Sequence, residues 1–153
     1  MVTAMRPESA TTSNDSTAVT VARYVGALSL IATGVVHLQQ YFGVYYRVIP
    51  VIGPLFLLNF IVGVALGVVL LAPLGHRSPE VHRLAAIGGI VFSAATLIGL
   101  AISENGTLFG FHEHGYRPAI TLSIAFEALA IVSLAWYVIA NRPAHAHIVA
   151  APT

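Results

Sequence analysis

Four apolar runs occupy most of this chain: about Val21 to Gly43, Val51 to Ala72, Leu84 to Ser103 and Pro118 to Ala140. Roughly 20 apolar residues rising ~1.5 Å each cross a hydrocarbon core of ~30 Å, so every run is long enough to span a bilayer. Backbone N–H and C=O groups in lipid must pair within their own segment, which leaves helix as the state for all four. The expected fold is therefore all-α, a bundle of four transmembrane helices in a multi-pass membrane protein. Composition agrees: 57% of the 153 residues are hydrophobic and 8% are charged, against about 25% charged in a soluble domain. Prolines punctuate the same plan. Pro50 and Pro118 stand at helix starts, Pro54 falls in the first turn of the second run, and Pro73 ends it.

Residues 1–20 (MVTAMRPESATTSNDSTAVT) lack the apolar h-region of a signal peptide. Rich in Ser, Thr and Ala, they are expected to form a disordered cytoplasmic tail, with 141–153 as a second cytoplasmic tail. Four spans put both tails and the middle loop on one side. That side carries Arg6, Arg23, Arg77, Arg83 and Arg142, and the other only Arg47 and Arg117. Basic residues favour the cytoplasmic side, so both termini are expected there. The VYYRVIP connector and the ENGTLFGFHEHGYR loop then lie outside. All 7 basic residues are Arg, read here as the mark of a GC-rich bacterial genome, which makes the bacterial plasma membrane the expected location. A net charge of +1 offers no basic patch for phosphates, so no nucleic-acid partner is expected. The absence of Cys excludes disulfides, thiol catalysis, iron–sulfur ligation and thiolate zinc.

Helix association in lipid relies on close approach through small residues. The second run contains Gly63-x-x-x-Gly67, and the third Ala85-x-x-x-Gly89-x-x-x-Ser93. The fourth sets Ala119, Ser123 and Glu127 on one face, and the first stacks Gly26, Leu30, Thr33, Gly34 and His37. These stripes are expected to face one another.

Each run also carries one polar residue at a similar depth: His37, Asn59, Thr96 and Glu127. Counted from the expected outer ends, they lie roughly 9 to 14 Å into the bilayer and so form a candidate buried polar site. Glu127 is the sharpest of them, because an ionisable group inside a membrane is expensive and marks a functional site with a nearby partner. His37 is the partner the sequence offers. The functional readings are a proton relay, recognition of a lipid or quinone head group, and tuning of a cofactor. The plainer one is a protonated Glu127 bonded to His37 or Asn59 to fix helix register. Thr96 is weaker, since threonine commonly bonds its own helix backbone.

Outside the membrane, His112, Glu113 and His114 make an H-x-H spacing around an acid, a ligand set suited to copper or zinc. A solvated loop is the competing account. A bilayer haem b needs two axial ligands, usually histidines. Here His37 would have to combine with His112, His114 or a ligand from another subunit. The pairs His76 with His82 and His145 with His147 are weaker metal candidates. Tyr41, Tyr45 and Tyr46 read as an outer interfacial band, with Tyr24, Trp136 and Tyr137 as its inner counterpart. Asn105-Gly-Thr107 fits a glycosylation sequon without meaning in a bacterial chain.

The run His37-Leu38 with Tyr41, followed by Pro50-x-Ile52-Gly53-x-Leu55-Phe56-x-Leu58-Asn59, resembles small uncharacterised four-helix integral membrane proteins of actinobacteria. The resemblance covers the first two helices. It implies membrane location and the same fold, and places His37 and Asn59 in one shared motif.

The leading expectation is a non-catalytic integral membrane protein that serves as an accessory subunit of a larger membrane complex. Its partners would be the lipid bilayer, other membrane subunits or further copies of itself, and a lipid or quinone at the polar site, with no cofactor of its own. The alternative is a redox protein holding haem b or copper through His37 and the loop histidines. A small proton-coupled transporter using Glu127 ranks last, since four helices would need a homo-oligomer to enclose a path.

Overall fold

The computed structural model describes residues 10–43, 45–73, 79–115 and 117–141; before Thr17 only the backbone is described. Helix α1 spans Ala10–Gly43, a 3-10 turn follows at Tyr45–Val48, and then come α2 (Ile52–Leu71), α3 (Pro79–Asn105) and α4 (Pro118–Ala140). All four helices are long and apolar enough to cross a membrane, α1 through its stretch Thr17–Gly43. No named strand occurs among the described residues, only an isolated bridge between Leu108 and Phe111.

Two helices, α1 and α3, extend beyond the sequence reading. The expected disordered tail is helical from Ala10 onward. Ala10 to Thr20 contains neither Gly nor Pro, and a helix already nucleated by the span extends cheaply. Helix α3 begins at Pro79 rather than Leu84 and continues to Asn105. Pro79 brings a pre-set φ to the first turn, and Glu80 suits the positive end of the helix dipole. Residues 1–9 and 142–153, with His76, Arg77, Arg142, His145 and His147, lie outside the described residues.

The helices run up and down in a ring, α1 packed on α2 and α4, and α3 closing it mainly against α4. Small residues face inward and large aliphatic ones outward, the reverse of a soluble bundle. Leu28, Val35, Leu58, Ile61, Val91, Ile98 and Val132 are all exposed, as lipid-facing positions require. The backbones of α1 and α2 approach closely. A Cβ at Gly63 would stand 2.8 Å from the Leu30 carbonyl oxygen, and one at Gly67 2.8 Å from that of Ala27.

The two ends of the bundle differ. Toward the Arg23 end, Ala27, Leu30, Leu70, Ala85, Ala86, Ala130, Leu134 and Tyr137 form a closed apolar core. Tyr137, read from the sequence as interfacial, belongs to that core, while Tyr24 and Trp136 are exposed. The last carbonyls of α2 lack helical partners. Arg23 Nη1 donates to the Leu70 carbonyl at 2.8 Å, and His82 Nε2 lies 3.1 Å from that of Ala72. Toward the other end, which carries Tyr46 and the 106–115 loop, the ring opens into a cavity.

Candidate functional site

The cavity has a volume of about 360 Å³, within the range of small-molecule sites. Its walls are apolar, with Val36, Leu55, Phe56, Phe92, Leu100 and Ile120 among them. His37, Asn59, Thr96 and Glu127, one from each helix, all line it. The sequence depth count therefore brings the four residues to a single space.

Glu127 is 2% exposed. Thr33 Oγ1 donates to its Oε1 at 3.1 Å, and Ser123 Oγ reaches the same oxygen at 3.2 Å. The two hydroxyls also lie 2.9 Å from each other. The Thr96 hydroxyl faces the carboxyl as well, but it sits 2.9 Å from the Ser93 carbonyl and 3.3 Å from that of Phe92, where its one proton goes. Neither the Thr33 bond nor the Ser123 bond uses Oε2.

Contrary to the pairing expected from the sequence, His37 and Glu127 share no direct hydrogen bond. Thr33 stands between them, its hydroxyl on the carboxyl and its carbonyl 2.9 Å from His37 Nδ1. A carbonyl only accepts, so Nδ1 carries the proton and donates, and a neutral ring then presents Nε2 as an acceptor. The ring packs on Phe56, with centroids 5.2 Å apart.

Residues 45–51 and 106–115 form a lid over this space, with Tyr46, Leu108, Phe111 and Glu113 lining it. Leu108 and Phe111 exchange backbone hydrogen bonds of 2.8 and 2.9 Å. The turn between them holds Phe109 at φ 53° and Gly110 at φ 80°, the left-handed pair that a tight hairpin needs. Glu113 N–H donates to the Ser103 carbonyl at 3.0 Å, which fastens the loop to the end of α3.

Tyr46 is the centre of the lid. Only 1% exposed, it stacks on Phe56 at 4.5 Å and meets the edge of Phe111 at 5.7 Å. Its phenol donates to Glu113 Oε2 and accepts from Arg117 Nη2, while Arg117 Nη2 also reaches Glu113 Oε1 at 3.0 Å. Burial, the hydrogen bond to Glu113 and the charge of that carboxylate together hold the phenol above its ordinary value of 10.0, with Arg117 pulling the other way. Tyr46 therefore stays neutral while Arg117 and Glu113 form an ion pair across it.

Two readings of these residues change. Tyr46 is a buried lid residue and not part of an interfacial band. Glu113 is turned away from the proposed metal pair: it lines the cavity rim, and both of its oxygens are engaged by Tyr46, Arg117 and the His114 N–H. His112 and His114 are exposed with ring centroids 4.4 Å apart, and His112 Nδ1 donates to the Gly106 carbonyl. Neither lines the cavity, and no group of three or more potential metal ligands forms among the described residues.

The sequence names Thr33 and Ser123 only as members of packing stripes, Tyr46 as an interfacial residue and Glu113 as a metal candidate; their part in this site, together with Arg117, is what the fold adds. Thr33 precedes His37, and Ser123 precedes Glu127, by one helical step of four. That spacing was the available signal.

No protein-family model, curated protein or solved structure matches the chain.

Proposed function

We propose that this chain is a non-catalytic integral membrane protein of the bacterial plasma membrane, with both termini cytoplasmic. It holds a small amphipathic molecule, a lipid or a quinone-type compound, between its helices and acts as an accessory subunit of a larger membrane complex. The observation that carries this reading is the cavity. It joins apolar walls to a carboxyl and an imidazole at its base, which is the composition of a site for a molecule with an apolar body and a polar head.

The closed core on the Arg23 side of Glu127 supports binding over transport. Leu30 lies one turn beyond Thr33, and Ala130 and Leu134 lie beyond Glu127; all three are fully buried. A polar path across a single copy of the chain ends there. The small-residue stripes are also spent inside the chain, so a partner subunit would meet the broad aliphatic faces.

The test is purification from native membrane into nanodiscs, followed by mass spectrometry of the extracted small molecules. A lipid-soluble compound at near one per chain is expected, and it should be lost from Ala119→Phe, which fills the cavity from α4 and leaves Glu127 and His37 in place. Equal recovery from wild type and A119F, or nothing beyond the bulk lipid of empty nanodiscs, would overturn the proposal.

A further inference from the structure

We infer that the ligand of this cavity is an aromatic molecule bearing a hydroxyl donor, a phenol or hydroquinone, so that a reduced quinone-type head is held in preference to its oxidised form. This inference rests on the reading of the cavity as a ligand site and follows from a count of protons at its base.

His37 and Glu127 both line the cavity, and the hydrogen bonds that hold them use His37 Nδ1 and Glu127 Oε1, which leaves Nε2 and Oε2 for a ligand beside the amides of Asn59 and Gln40. The His37 proton on Nδ1 is spent on the Thr33 carbonyl. The hydroxyl protons of Thr33, Ser123 and Thr96 are spent on each other, on Oε1 and on the α3 backbone. With no further proton, both free atoms are acceptors. With one, either Oε2 becomes a donor and Nε2 stays an acceptor, or the reverse. A second proton would leave an imidazolium with no carboxylate in the cavity to face it, since Glu113 at the rim is already paired with Arg117, and an uncompensated buried charge is costly. Only the state with the proton on Glu127 buries no charge, so Oε2 donates and Nε2 is the acceptor that points at the ligand.

Water can satisfy that acceptor while the cavity is wet. A ligand that expels the water must replace its donor or leave the acceptor unpaired. The carbonyl oxygens of a quinone cannot do so, whereas a ring hydroxyl can. Asn59 and Gln40 line the cavity too, but an amide both donates and accepts, so they serve either kind of head and do not alter the count. Phe56, Phe92 and Phe111 line the same space, and flat aromatic walls suit a ring better than a branched or sugar head.

The test uses two redox-inert probes matched in ring and tail, para-octylphenol and its methyl ether. Their retention by nanodiscs holding the full chain is compared with empty nanodiscs by equilibrium dialysis. The phenol is expected to bind roughly tenfold more tightly than the ether, the ratio for one unpaired buried acceptor. His37→Phe, which keeps the ring contact with Phe56, should bring the two probes close together. If both probes are retained equally, or the ether more tightly, the donor inference fails and the cavity reading stands. If neither exceeds the empty nanodiscs, the cavity reading itself fails, and this inference with it. Discrimination that persists undiminished in H37F would overturn the assignment of the acceptor to Nε2.

Discussion

Thr33 binds the two titratable groups of the cavity into one unit, through its hydroxyl on Glu127 and its carbonyl on His37. The structural role of Glu127 is therefore to accept from two hydroxyls on two helices. Glu127→Gln keeps an oxygen at Oε1 and should cost less than about 1 kcal/mol. Glu127→Leu removes that acceptor. Only the Thr33 bond crosses between helices, and at ~0.6 kcal/mol for such a bond its loss, with that of the Ser123 bond within α4, should cost about 1 kcal/mol. Thermal unfolding in detergent should rank wild type and E127Q together with E127L below them, and an unchanged midpoint for E127L would remove this role. His37 and Glu127 were legible in the sequence because a polar residue in an apolar run has few innocent explanations. Thr33 and Ser123 were not, because a hydroxyl on a helix commonly bonds its own backbone and only the fold shows that these two meet across α1 and α4. Tyr46 misled for a related reason. An amphipathic ring beside a span ordinarily sits at the interface, and its burial depends on a loop whose folding no periodicity announces.

Between α1 and α2 the contact is backbone on backbone, and small-residue spacing is what made this seam readable in advance. Gly63-x-x-x-Gly67 places two positions on one face of α2, and a methyl at either would meet a carbonyl oxygen of α1 at 2.8 Å. Gly63→Ala and Gly67→Ala should each destabilise the bundle by about 1 to 3 kcal/mol, the usual cost of overpacking. Gly88 provides the internal comparison, since a methyl there meets only the end of the Leu66 side chain, at 3.4 Å. Gly88→Ala should be close to neutral, helped by the better helix propensity of Ala. Equal unfolding midpoints for G63A, G67A and G88A would show that the seam is slack. Helix ends were less readable than helix faces. The apolar run marks what lipid requires, while Ala10 to Thr20 and Pro79 to Arg83 are helical without being apolar throughout, so hydropathy stops short of both.

At the scale of the molecule, the asymmetry between a closed end and an open end is what the sequence hid. Four spans follow from hydrophobic length alone, but whether four inward faces fill the space between them depends on side-chain volumes summed across helices that are distant in the chain. The ring of Ala and Leu at the Arg23 end closes; the layer of His37, Asn59, Thr96 and Glu127 does not. Orientation in the membrane decides which compartment the lid faces, and the arginine distribution argues for the outside. The chain contains no Cys, so single cysteines report position without background. Thr107, in the lid loop, and Asn141, just past α4, are both exposed and lie at opposite ends of the bundle. In intact cells a membrane-impermeant maleimide should label Thr107→Cys and spare Asn141→Cys until the cells are lysed. The reverse pattern would invert the protein and turn the lid toward the cytoplasm. It would leave the cavity and its proton count intact but move the lid that covers it to the other compartment. Labelling of both sites in intact cells would mean that the two ends share one side, which four crossing helices with Asn141 beyond the last of them do not permit.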